Sequence, residues 1–564
     1  MPDDVIKPGS EEYRVAKAQI TDKAIWRRSK VLPDEQVVGY NDLPVYKEYI
    51  ERISIPGVKI NAVSRWFNAV SVMAMVPQLD EILKFDFVLK IEGVHFLETS
   101  GINNKESSKT RKNSFYNRYF DSTARLRYDY GPSYWQNEQI NVPILHYCGI
   151  TGWGVTLGMC DDGFNWRQHQ ALRTRNVIAE HDRIFNDDSV QCQTIPNQFP
   201  EDYRAQDEPG AMTMSTLCGF YDSELIGPAF DADIYLSKTE VDGSETPVEE
   251  DYWVEAVEWM ESQGVEVISC SLIYKPFDDP NDSYTYKDMD GNTTVIVRAA
   301  EMAVHLGVVV CNSMGNERQT NPPSIVSPPD GDSVISVGAV DSTGKIASFS
   351  SNGPTSDGKM KPDVVAMGMQ DWVAMSETSS ENDSTYTPAS GTSFSCPLTS
   401  GVCALILSSH PELTPMQVKE ALKMTANNSD KPDNVYGWGL VNALDAALYW
   451  GMIMSNKPDI SIDNNTVKIS TYVLSKERVN AGSVFVYYTE GPSNDYKQLL
   501  MGLEEILDET NSGKYTITLP LEQKSDVMKF YFKASDSKSS IVWPYGAPNR
   551  FFYLNNETNK LEIY

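Results

Sequence analysis

Between Pro143 and Trp450 short apolar runs alternate with segments of helical spacing. The runs at Val155–Cys160, Asp233–Ser237, Val265–Ser271, Val308–Asn312 and Val334–Val340 predict strands, and Tyr252–Ser262, Val295–His305 and Met416–Thr425 predict helices. Strand followed repeatedly by helix predicts an α/β fold, a parallel sheet covered by helices on both faces. After Lys457 the period falls to two. Thr466–Val473, Ser483–Thr489, Lys514–Leu521, Met528–Ala534 and Arg550–Leu554 then predict a C-terminal β-sandwich over 457–564. At the other end, 11–98 predicts a small α/β domain: Leu43–Ile50 is helical in spacing, Trp66–Val76 strand-like, and Gln78–Leu83 helical again. Residues 99–142 are polar and weakly periodic, which predicts a linker, and 143–450 forms the large domain. No internal repeat is visible.

Composition narrows the function. The chain has 564 residues, 41% apolar and 22% charged, enough apolar material for a folded core. Its net charge of −30 would repel a phosphate backbone, so nucleic acid is not an expected partner. Lys105, Lys109, Arg111 and Lys112 sit among Ser and Asn and read as a solvated linker. No apolar run is long enough to span a bilayer, so membrane association would need a partner or a lipid anchor. The start of the chain does not resemble a signal peptide. The eight cysteines lack the close pairing of zinc or redox sites and read as small buried residues. Asp288-Met-Asp-Gly-Asn-Thr293 carries a fragment of a calcium loop without the distal Glu, which favours a plain turn. No cofactor or metal is expected, with calcium at this loop as the one alternative.

The strongest chemical signal is Gly391-Thr-Ser-Phe-Ser-Cys-Pro397, leading into an apolar helix. A serine between a glycine turn and a helix N-terminus can present its hydroxyl beside backbone N–H groups that face a developing oxyanion. This segment resembles the nucleophile motif of the subtilases, the subtilisin-like serine peptidases, with Ser393 as nucleophile. Other family blocks then fall into order. Gly154–Phe164 resembles the first strand, with Asp161 as the carboxylate that orients the base. Ser313-Met-Gly-Asn-Glu317 is similar to the segment whose Asn, here Asn316, donates to the oxyanion. Ile346–Pro354, Lys361–Ala366 and His410–Ala426 match family text of structural type. Ile20–Val94 resembles the inhibitory prodomain of exported Bacteroidetes-type members, and the β-domain resembles their immunoglobulin-like or fibronectin-like appendages. That resemblance implies an exported protein at the cell surface or in the periplasm.

The sequence departs from the family at the base. Family members place a histidine six residues before a serine on the next helix. Counting back from Ser215 gives Pro209, in Pro209-Gly-Ala-Met-Thr-Met-Ser215. Proline suits the first turn of a helix but cannot take a proton. A serine hydroxyl is a weak nucleophile without a base. In the namesake of the family, losing the histidine costs about 2 × 10⁶ in turnover, or about 8–9 kcal/mol. None of the six histidines (His95, His146, His169, His181, His305, His410) lies in the block where the base belongs. His169 follows the Asp161 strand. Glu208 adjoins the vacant position, and the related serine-carboxyl peptidases use a glutamate base. A shift of one residue, however, turns a helical side chain by about 100°. Ser271-Leu272-Ile273 resembles the substrate-binding edge, with Ile273 where the family has the glycine that lets a peptide backbone approach.

Two functions follow. The first is a pseudopeptidase that binds a protein or peptide partner through the kept fold. The second is a serine endopeptidase working with a substitute base.

Overall fold

The computed structural model describes residues 6–93, 127–191, 208–241, 245–375, 383–463, 466–491, 494–520, 527–555, 558 and 560–563. The central sheet has seven strands, all parallel: β3 (Thr156–Asp161), β4 (Asn176–Asp182), β7 (Asp233–Lys238), β8 (Val267–Cys270), β9 (Val309–Ser313), β10 (Ile335–Val340) and β11 (Val364–Met367). A two-residue hairpin, β5 (Phe220–Tyr221) and β6 (Leu225–Ile226), stands apart. The sheet order is β11-β10-β9-β8-β3-β7-β4. Strands β3, β8, β9, β10 and β11 are buried along their whole length, as strands covered on both faces must be. One face packs on α7 (Glu208–Cys218), α10 (Thr392–Ser409) and α11 (Pro415–Thr425). The other packs on α8 (Val248–Gln263) and α9 (Val295–His305).

Helix α8 begins four residues before the predicted Tyr252. Its first turn, Glu249-Glu250-Asp251, looks polar in sequence, yet Glu249 is buried because its carboxylate accepts from Val241 N–H at 2.9 Å and Thr246 N–H at 2.9 Å. Helix α10 is the one helix among the described residues long and apolar enough to cross a membrane, and it is buried in the core.

The N-terminal domain contains α1 (Glu11–Lys17), α2 (Asp22–Arg28), α3 (Lys47–Ile53), β1 (Lys59–Ser64), β2 (Ala69–Met73) and α4 (Val76–Ile82). The predicted strand Trp66–Val76 is shorter than expected: Trp66 lies in the β1–β2 turn. The Glu258 carboxylate of α8 holds that turn by accepting from the N–H groups of Arg65 (3.0 Å) and Trp66 (3.3 Å). Leu32, Val37 and Trp66 join the apolar cluster of Trp253, Val257, Met260 and Ile296, so this domain shares a core with the sheet's α8–α9 face.

The predicted linker 99–142 needs correction at its end. Residues 94–126 lie outside the described residues, but 127–142 is folded, with α5 (Tyr134–Glu138) and the start of α6 (Val142–Tyr147). Tyr130, Ile140 and Val142 are buried, and Asn137 donates to the carbonyls of Ser133 and Ile226. Burial of polar residues through specific bonds leaves no trace in hydrophobic periodicity. After Trp450, two antiparallel sheets enclose a core that includes Val467, Val486, Phe530 and Phe552, giving the predicted β-sandwich.

Candidate active site

Ser393 occupies the first turn of α10, after Gly391. A Cβ on Gly391 would stand 3.7 Å from Asn316 Nδ2, 3.7 Å from Ser393 N and 3.8 Å from Ser393 Oγ. Two donors and the hydroxyl therefore stand around one point beside Gly391, an arrangement able to receive an oxygen anion. The amide of Asn316 is held in this orientation, because its Oδ1 accepts from Thr392 N–H (2.9 Å) and Thr392 Oγ1 (3.0 Å). Pro397 lacks the N–H that would bond the Ser393 carbonyl four residues back. The hydroxyl of Ser271 donates to that carbonyl instead, at 3.0 Å, and so ties the start of α10 to the segment after β8.

Asp161 ends β3 and is buried. Its Oδ1 accepts from Asp162 N–H at 3.1 Å and its Oδ2 from Thr213 Oγ1 at 2.8 Å. Burial pushes both Asp161 and Asp162 above the usual carboxylate range. Asp162 is pushed further, since the charge of Asp161 adds to its desolvation. Gly210 N–H donates to Asp162 Oδ1 at 3.3 Å. A Cβ on Gly210 would lie 1.9 Å from the Gly163 carbonyl oxygen, so α7 approaches the end of β3 only because glycine stands there. Gly210→Ala is expected to cost about 1–3 kcal/mol by overpacking, read as a lower urea midpoint; an unchanged midpoint would mean that the contact relaxes freely.

Asp161, Asp162, Pro209, Met212, Thr213, Ser271, Leu272 and Ser393 line one cleft of about 340 Å³, with Glu240, Glu245 and Glu249 along its wall. Burial raises Glu240 to about 8 and raises Glu249 as well. The fold thus brings together Asp161, Ser393, Asn316 and residue 209, where the sequence resemblance implies a base. At that position Pro209 sits in the first turn of α7, exposed to the cleft.

Among the described residues the hydroxyl of Ser393 has no hydrogen-bond partner, and no histidine lines the cleft. His169 is fixed elsewhere: Nδ1 accepts from Ala171 N–H at 3.1 Å and Nε2 faces the Thr385 carbonyl at 2.9 Å. His146 lies between Tyr130 Oη and the Pro228 carbonyl, and His410 between Glu412 and the Ala447 carbonyl. The Glu208 side chain and His95 fall outside the described residues.

Ser271–Ile273, the segment expected to bind substrate, continues from β8. The Ser271 carbonyl accepts from Ser313 Oγ at 3.1 Å and the Leu272 carbonyl from Asn312 Nδ2 at 2.8 Å. Each of these carbonyls thus accepts one side-chain hydrogen bond and keeps a second lone pair. Ile273 Cδ1 lies over Gly315, 3.5 Å from where that glycine's Cβ would be. The Asp288–Thr293 loop is closed on itself, with Asp290 Oδ1 accepting from the N–H groups of Asn292 and Thr293. Thr213, Asp162 and the three glutamates of the wall did not stand out in the sequence. For Thr213 a signal existed, since it lies four residues after Pro209 on a predicted helix.

Comparison with known proteins matches both the large domain and the N-terminal one. The profile of the subtilase family matches residues 152–439, and that of the peptidase S8 propeptide domain of Bacteroidota matches residues 7–113. The chain is 40% identical to serine protease AprX of Bacillus subtilis over 164 residues, which are 26% of this chain and 37% of that protein. It is 30% identical to subtilisin E of the same organism over 311 residues, 55% of this chain and 70% of that one.

Proposed function

The chain belongs to the subtilase family, and from that membership we propose that it is a pseudopeptidase: an exported protein whose peptidase fold binds a protein or peptide partner at the cell surface or in the periplasm. One observation carries the reading. The cleft that holds Asp161, Ser393 and the donors around Gly391 has Pro209 at the base position, and no imidazole or carboxylate among the described residues reaches the Ser393 hydroxyl. Without proton removal the serine does not attack. The side chain of Ile273, which stands over Gly315, points the same way, since it alters how an extended peptide would lie. The Bacteroidota-type propeptide region supports export.

A second reading, a serine endopeptidase with a substitute base, draws on the intact clamp between Thr392 and Asn316. Labelling by a fluorophosphonate probe separates the two. Wild type and Ser393→Ala are expected to be equally unlabelled at neutral pH. Label on Ser393 in the wild type would overturn the pseudopeptidase and establish a base.

A further inference from the structure

The loss at position 209 has a companion on the same helix. Pro209 and Thr213 are four residues apart on α7, so their side chains rise from one face, and both line the cleft beside Asp161. A hydroxyl has one proton to give. That of Thr213 lies 2.8 Å from Asp161 Oδ2 and 3.1 Å from the Gly210 carbonyl oxygen. The shorter, charge-assisted bond to the carboxylate is the stronger one. The other oxygen of Asp161 already accepts from Asp162 N–H. An imidazole placed at 209 would therefore meet a buried carboxylate whose donors are supplied from within the fold.

We propose that Thr213 is a positioning residue that holds Asp161 in a hydrogen-bond arrangement without histidine, so that restoring the base alone does not restore the triad. This rests on the pseudopeptidase reading and deepens it: the site is inactive at two coupled positions. The loss of one base left Asp161 without its donor, and Thr213 supplies another. Val at 213 keeps the branched shape and removes the donor, which frees Asp161 Oδ2 to orient a histidine. In a serine peptidase triad the carboxylate fixes the tautomer of the imidazole and stabilises its protonated form.

The test is fluorophosphonate labelling of Ser393 in Pro209→His, Thr213→Val, the double variant and Pro209→His with Thr213→Ser, with thermal melts to establish folding. Thr213→Val alone is expected to stay unlabelled. The double variant should label at least tenfold faster than Pro209→His. The pH midpoint of its labelling should lie higher, because a carboxylate bonded to the imidazole favours its protonated form. Serine at 213 keeps the donor and should return the rate to that of Pro209→His. Equal rates and pH midpoints for Pro209→His and the double variant, whether both label or neither does, overturn the proposal. Label on wild-type Ser393 would instead overturn the reading beneath it, so the two failures are distinct.

Discussion

Glu261→Ala is expected to cost the folded chain about 3–5 kcal/mol, because it removes the anion from a fully buried charge network. Glu261 lies in the last turn of α8 and pairs with Arg27 and Arg28 of α2, and all three side chains are buried. Arg28 also pairs with Asp42 at 2.8 Å. Arg27 donates to the carbonyls of Glu261 (3.0 Å), Val265 (2.6 Å) and Leu306 (3.2 Å), at the C-terminal ends of α8 and α9. A guanidinium there satisfies orphan carbonyls and the negative end of each helix dipole. With Glu261 gone, Arg27 is a buried cation held by carbonyls alone, and Arg28 keeps Asp42 as its one anion. Replacing Arg27, Arg28, Asp42 and Glu261 together by apolar residues removes the buried charges as a set and is expected to cost much less than Glu261→Ala. Urea denaturation followed by tryptophan fluorescence gives both values. A midpoint unmoved by Glu261→Ala, or a quadruple variant as weak as the single, would sink this account. Because Leu32, Val37 and Trp66 share the core of the α8–α9 face, the loss should appear in the unfolding of the whole domain.

The middle of the sheet was legible because its strands are buried on both faces and so read as unbroken apolar runs; β3, β8, β9 and β10 each fall within about two residues of their predicted bounds, whereas the half-exposed edge strand β4 and the four-residue β11 were not predicted. Helix α9 matches its prediction at both ends, since Thr294 caps it by accepting from Val297 N–H and its apolar face is regular. Legibility failed where polar side chains are buried through particular partners. The turn at Trp66 and the helix at Tyr134 depend on bonds between residues far apart in sequence, and the first turn of α8 on a local bond from Glu249 back to Thr246; hydrophobic periodicity carries no record of either.

At the site the same division holds. Ser393, Asp161 and Asn316 sit in local motifs whose order could be followed along the chain, and Pro209 stood out against a fixed spacing. What sequence could not supply was the state of each group. That Asn316 is aimed by Thr392, that the Ser393 carbonyl is held by Ser271, and that Asp161 is held by Thr213 are facts of three-dimensional approach. The second of these follows from Pro397, whose missing N–H was visible in sequence but whose replacement donor was not.

Stability should be greatest near pH 5 and fall as pH rises to 8. Burial raises Glu240, Glu250 and Asp371 to about 8, Glu258 to about 7, and Asp251 and Asp330 to about 6. In the folded chain each keeps a proton that it gives up on unfolding above its ordinary value near 4. The folded state thus binds more protons across this window, and its advantage is lost as pH climbs through the folded values. Each proton still held costs about 1.4 kcal/mol per pH unit, so several such groups amount to a loss on the order of several kcal/mol between pH 5 and 8. The opposite limb comes from Asp363, lowered by Lys361, Lys419 and Lys423 against its burial, and from His146, which burial lowers to about 4. Asp363 favours folding above its ordinary value and loses that contribution as pH falls; His146, buried neutral, makes folding weaker below about 6.5. Urea midpoints at pH 5, 6.5 and 8 test the slope, and a flat or rising series would contradict it. Asp371 gives the sharpest arm, since it is fully buried and neither carboxylate oxygen has a partner among the described residues. Asp371→Asn imitates the protonated acid, so it should leave the midpoint at pH 5 nearly unchanged and raise it at pH 8.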